Sequence, residues 1–150
     1  MKTRIFAAMT GAILVLAACG GGGGEEARQQ KVLTLMLEEL DPAVDGIWQH
    51  SGWELTEENG EVSLFPTTDE GWQDMADSAD KVIEVVRKLQ TDEYSNGDPE
   101  WIAISEGVIT FTEEAKQAAL AQDEQEVFDL GGDIYRACLA CHQRYIIDDE

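Results

Sequence analysis

The sequence predicts an all-α protein, an antiparallel four-helix bundle with a small β-hairpin inserted between helices one and two. Four long stretches repeat apolar residues at helical spacing, and most joints between them are short. The one longer joint alternates apolar and polar residues around Asn59-Gly60. With 150 residues, 43% of them apolar, the chain suits one domain and one core, and no internal repeat divides it.

The first helix is expected over 25–40, with apolar positions at Val32, Leu33, Leu35, Met36, Leu37 and Leu40. Pro42 after Asp41 permits a new turn running to about Trp48, so this helix should kink or restart at Asp41. In the hairpin at 52–65, Trp53, Leu55, Val62 and Leu64 alternate with polar residues. A two-stranded hairpin is marginal alone, and Trp53 and Phe65 are the side chains suited to attach it to the bundle.

Thr67 with Glu70 has the form of a capping box, opening a second helix faced by Trp72, Met75, Ala79, Val82, Ile83, Val86 and Leu89. Arg87 and Lys88 suit its C-terminal dipole, and the polar run 91–97 ends it. Asp98-Pro99, an N-cap with proline at the first helical position, starts a third helix through Trp101, Ile104, Val108, Phe111, Ala115, Ala118 and Ala119. Thr110, Thr112 and Gly107 weaken its middle, and a bend or a close helix contact is expected at Gly107. Asp123 with Glu126 opens a fourth helix, its stripe formed by Val127, Leu130, Ile134, Ala137, Cys138, Cys141 and Tyr145. Gly131-Gly132 interrupts that helix at about 1 kcal/mol per glycine relative to alanine, which points to something large approaching the backbone or, as the alternative, to a break.

Residues 1–18 read as an export leader. Lys2 and Arg4 precede an apolar stretch, residues 5–16, too short to span a bilayer comfortably. Leu16-Ala17-Ala18-Cys19 resembles the lipobox of bacterial lipoproteins, which implies that Cys19 is lipidated and becomes the first mature residue. Residues 20–24 are all glycine and read as a flexible tether, leaving 25–150 for the bundle.

Ten Lys and Arg stand against 31 Asp and Glu, a formal charge of −21. Loss of the leader removes two cations and no acid, leaving 8 against 31, or −23. Nucleic acid and anionic lipid surfaces are therefore poor partners, and a basic protein is a good one.

The chemistry concentrates in Cys138-Leu139-Ala140-Cys141-His142. On a helix these two thiols and the imidazole fall at i, i+3 and i+4 and project from one face. That arrangement matches covalent haem attachment, with two thioethers and one axial nitrogen. Structural zinc wants a fourth ligand, for which the mature chain offers His50, Cys19 and carboxylates. A disulfide here would close only a tiny loop, and a redox dithiol expects a helix start in a βαβ setting.

These five residues, with Tyr145 and with Leu33-Thr34-Leu35-Met36 on the first helix, resemble the class II c-type cytochromes, the cytochrome c prime group. The resemblance spans about 25–147 in helix order, and its specific part is the haem-binding end. It implies haem c attached through Cys138 and Cys141, with His142 as proximal ligand. It further implies that either Leu33 guards the distal side or Met36 binds iron as sixth ligand; one helical turn separates the two, so periodicity does not choose. Arg136, Arg144, Arg28 and Lys31 are candidate partners for the haem propionates. Two features depart from the family: Ile146 follows the tyrosine where a basic residue is frequent, and the hairpin is an addition.

The expected function is a one-electron carrier, a periplasmic c-type cytochrome held to the outer membrane by its lipid. It would be served by a basic redox partner and is not itself an enzyme, since no acid, base and nucleophile set is visible. A haem protein that binds nitric oxide or carbon monoxide is the alternative, and a structural lipoprotein bundle without haem is the third reading. The family often dimerises, so the resemblance admits a homodimer, although no residue pattern argues for one.

Overall fold

The computed structural model describes residues 22–146. The expected leader and Cys19 lie outside the described residues. Within them the chain is mostly helical, with one small two-stranded antiparallel sheet. In order come α1 (Gly22–Leu35), a π turn (Met36–Leu40), α2 (Asp41–Trp48), β1 (Trp53–Thr56), β2 (Gly60–Ser63), α3 (Asp69–Leu89), the single turn α4 (Asp92–Ser95), α5 (Pro99–Leu120) and α6 (Glu124–Tyr145). The longest helices form the frame: α5 packs against both α3 and α6, α2 lies on α3, and α1 touches α4.

The expected kink at Asp41 takes the form of the π turn ahead of it. Pro42 has no N–H, and its ring would crowd the carbonyl of Glu38 in a regular helix. Widening the preceding turn relieves this, and the Asp41 N–H bonds to the Met36 carbonyl five residues back. The wider turn also resets which side chains face inward. Leu35, Leu40, Ala43, Val44 and Ile47 are buried, whereas Leu33 and Leu37, read with the apolar face, are exposed. Gly22–Gly24, read as tether, belong to α1, because the helical backbone continues N-terminal to Glu25.

α2 and α3 approach closely at Gly46. A Cβ there would fall 2.3 Å from Ser78 Oγ and 2.8 Å from Ser78 Cβ. The hairpin pairs Trp53 with Ser63 and Thr56 with Gly60, leaving a three-residue loop rather than a turn centred on Asn59-Gly60. Gly60 sits at φ +68° where the chain re-enters the sheet, a left-handed conformation that glycine adopts without strain. Trp53 and Phe65 attach the hairpin. Their rings meet edge to face at 5.2 Å, Phe65 stacks on Trp72 at 6.0 Å, and Trp53 also meets Phe128 of α6 at 5.5 Å.

The α3 cap is Thr68, one residue beyond the expected Thr67; its Oγ1 accepts the Gly71 N–H at 3.1 Å. Pro66 passes close to Gly71, where a Cβ would come within 2.9 Å of the proline Cβ. All seven expected apolar residues of α3 are buried, joined by Ala76 and Val85. Asp98 caps α5 as expected, accepting from the N–H groups of Glu100 (2.8 Å) and Trp101 (3.3 Å). Asp123 caps α6 by accepting from the Glu126 N–H at 3.1 Å.

Two expectations for α5 change. A Cβ on Gly107 would meet nothing within 4 Å, so no helix presses on it. Thr112 is buried yet satisfied, donating to the Val108 carbonyl at 2.7 Å inside its own helix. α6 runs unbroken through Gly131-Gly132. What approaches there is the Trp48 indole, whose N–H donates to the Gly131 carbonyl at 3.1 Å. Val127, Leu130 and Ile134 are buried, while Ala137, Cys138, Cys141 and Tyr145 further along the same stripe are only partly covered.

Candidate functional site

The half-covered end of α6 faces a groove of about 700 Å³ whose other wall is α1. Val32 and Leu33 line it from α1, Met36 from the start of the π turn, Trp101 from α5, and Cys141, His142 and Tyr145 from α6. The π turn begins at Met36, which is partly buried against the core. Leu33 is 50% exposed, and the groove side is where its apolar surface lies open. Cys138, partly buried one turn before Cys141, packs against the core rather than lining the groove.

The end of α6 is tied to the start of α5. Tyr145 donates its hydroxyl to Asp98 Oδ2 at 3.0 Å, while Oδ1 of the same carboxylate caps α5. The Tyr145 and Trp101 rings meet edge to face at 4.9 Å, and the Trp101 indole N–H donates to the Leu89 carbonyl at 2.7 Å. The hydrogen bond from Tyr145 holds the Asp98 carboxyl below its ordinary range, helped by the two backbone N–H groups. Burial, then the hydrogen bond to Asp98, pushes the Tyr145 phenol up to about 12.

The fold separates the four cations that are candidate partners for haem propionates. Arg28 and Arg144 line the groove. Arg28 pairs with Glu25 at 2.5 Å, donates to the Tyr94 carbonyl at 2.6 Å and lies 6.0 Å from the Trp101 ring centre. Arg144 pairs with Glu100 at 3.0 Å and lies 5.3 Å from the Tyr145 ring centre. Lys31 is outside the groove, drawn to Glu93 of α4 at 2.7 Å. Arg136 is outside it too, paired with Asp133; five residues before Cys141, it is turned by about 140° around the helix axis. His50 is exposed at the end of α2 and does not line the groove.

Neither motif cysteine is in a disulfide. Burial raises the Cys138 pKa, and burial followed by the neighbouring Cys138 pushes Cys141 up to about 11, so neutral pH leaves them protonated. Among the described residues no three of His, Cys, Asp and Glu converge as a metal-ligand set. The donor chemistry fits a haem better than a bare ion: the Cys141 thiol and the His142 imidazole on one helical face, Val32, Leu33 and Met36 opposite them among Glu25, Glu26, Gln29 and Gln30, an indole, and two guanidinium groups. The groove also falls within the range of about 300–1,000 Å³ common for cofactor sites.

Several groove residues were not identified from sequence as site residues. Trp101 was visible as core and Tyr145 as part of a motif, but their meeting, and the bond from Tyr145 to Asp98, depend on α5 and α6 lying side by side. Glu25 and Val32 carried no signal beyond helical spacing. No family model, curated protein or solved structure matches the chain. Among the described residues no helix is long and apolar enough to cross a membrane.

Proposed function

We propose that the chain is a c-type cytochrome of the four-helix-bundle class, carrying one electron at a time on a single haem in the groove between α1 and α6. The observation that supports this most is that Cys141 and His142 line the same groove as Leu33 and Met36, which come from the opposite end of the described chain. In this reading Cys138 and Cys141 hold the group by thioether bonds and His142 supplies an axial nitrogen. When bound, the group supplies one-electron iron chemistry at a potential set by ligands, burial and nearby hydrogen bonds.

The remaining work belongs to the chain's own side chains. Val32, Leu33 and Trp101 exclude water from the groove, and Arg28 and Arg144 offer positive charge to carboxylates. The Tyr145–Asp98 bond holds the last turn of α6 against α5 and so fixes the turn that carries His142. Cys19 would anchor the mature chain by lipid to the outer membrane on its periplasmic side, and the acidic surface favours a basic redox partner.

Leu33 beside Met36 supports a second reading, in which an apolar side chain guards an open site for nitric oxide or carbon monoxide. A pyridine haemochrome spectrum of protein from cells that mature c-type cytochromes tests the haem, and a colourless product with both thiols free overturns it. Carbon monoxide added to the reduced protein separates the two haem readings. No spectral change means that Met36 ligates, and uptake means that Leu33 only guards.

A further inference from the structure

A second cleft, of about 530 Å³, opens where the end of α2 meets the first half of α6. Its walls are aromatic: Trp48 and Tyr135 meet edge to face at 6.2 Å, and Phe128 lines it one helical segment earlier. Gly131 and Gly132 contribute no side chain, so the cleft floor is bare helix backbone. The Trp48 indole is held in place by its bond to the Gly131 carbonyl. Phe128 and Tyr135 remain 46% and 55% exposed in a fold that buries Trp72 and Trp101.

Two carboxylates, Asp129 and Asp133, share the lining. Arg136 is the one cation lining the cleft, and it is paired with Asp133. Asp129 has no cationic partner among the described residues and accepts instead from the Gln125 amide at 3.1 Å. Aromatic faces beside an unpaired carboxylate are the chemistry that receives a cation. The net charge of −21 would draw a basic surface toward it.

We propose that this cleft receives an arginine or lysine side chain of a basic protein partner. Tyr135 stands one turn before Cys138, so a partner seated here lies beside the segment that carries the Cys-x-x-Cys-His motif. The inference rests on the basic partner of the proposed function and not on the haem.

The test titrates hexa-arginine peptide into the full chain, purified from a host that matures c-type cytochromes, by calorimetry at low and high salt. Tyr135→Ala and Asp129→Asn should each weaken binding about tenfold, the worth of one well-placed cation contact. Glu114→Gln, an exposed acid on α5, should leave binding unchanged. Equal losses in all three variants, or a loss in none, overturns the cleft as the binding site. The haem band recorded on the same samples separates the two readings. A colourless chain that keeps site-specific binding overturns the haem alone, and a coloured chain without it overturns the cleft alone.

Discussion

The two halves of α6 carry one apolar stripe into contrasting surroundings. Val127, Leu130 and Ile134 are sealed against the core, whereas the stripe continues through the half-covered Cys138 to Cys141 and Tyr145, which line a groove. Nothing in their spacing distinguishes the halves. The difference lies in the opposite wall: α5 packs closely along α6, while α1 shares with it a groove of about 700 Å³. An apolar stripe that runs on into an open groove is a place to bind something.

The sharpest way to break this comparison is Ile134→Ala. Its side chain is 0% exposed, and the substitution should cost about 3 kcal/mol in urea unfolding through lost contacts and a cavity. A cost under about 1 kcal/mol would mean that the first half of α6 is as loosely covered as the second. Gly46→Ala should cost about 2 kcal/mol, because Ser78 Cβ already occupies the space and two helix backbones must separate. The opposite sign is expected for Gly107→Ala. The added methyl meets open space in a helix interior, and thermal unfolding should show a gain of about 1 kcal/mol.

A smaller effect, visible through its pH dependence, is expected at the groove end. Asp98 titrates below its ordinary value in the folded chain, so its stabilisation is present above about pH 4 and lost as pH falls through the lowered value. Tyr145 is displaced the other way. Its stabilisation is present below its ordinary value of 10.0 and lost as pH rises through about 12. Tyr145→Phe should abolish the alkaline loss and weaken the acid one, measured as melting temperature against pH; an unchanged profile would show that the bond to Asp98 does not hold α6.

Leu33→Ala should be nearly silent in stability, within about 0.5 kcal/mol, since half of the side chain is already in solvent. If the groove holds haem, the same substitution should still change carbon monoxide uptake. A stability loss comparable to that of Ile134→Ala would erase the contrast between the two regions.

Locally encoded features were the legible ones. Asp98 and Asp123 cap the helices they precede because a side-chain oxygen two or three residues from an unpaired N–H is a short-range signal. The apolar face of α3 was legible because a long helix buried along one side repeats its period many times. Features that depend on two elements meeting were not legible. Gly46 looks like any glycine until Ser78 is known to sit across from it. Arg28 and Lys31 are one turn apart on the same helix, and only the position of Glu93 shows which of them leaves the groove. For the site, the Cys-x-x-Cys-His motif and the residues Leu33 and Met36 were readable, while the groove that brings Leu33 and Met36 to Cys141 and His142 required the placement of α1.

The wide turn at Met36–Leu40 holds one residue more than an ordinary turn of helix, and that surplus sets the phase between α1 and α2. Deleting a single residue there, such as Glu38, would restore a regular screw and rotate everything upstream by about 100° relative to the anchored α2. Leu33 and Met36 would then swing away from the groove together. A one-residue length change between Met36 and Leu40 is thus a coarse dial on what the far wall presents, in a segment remote from the cysteines.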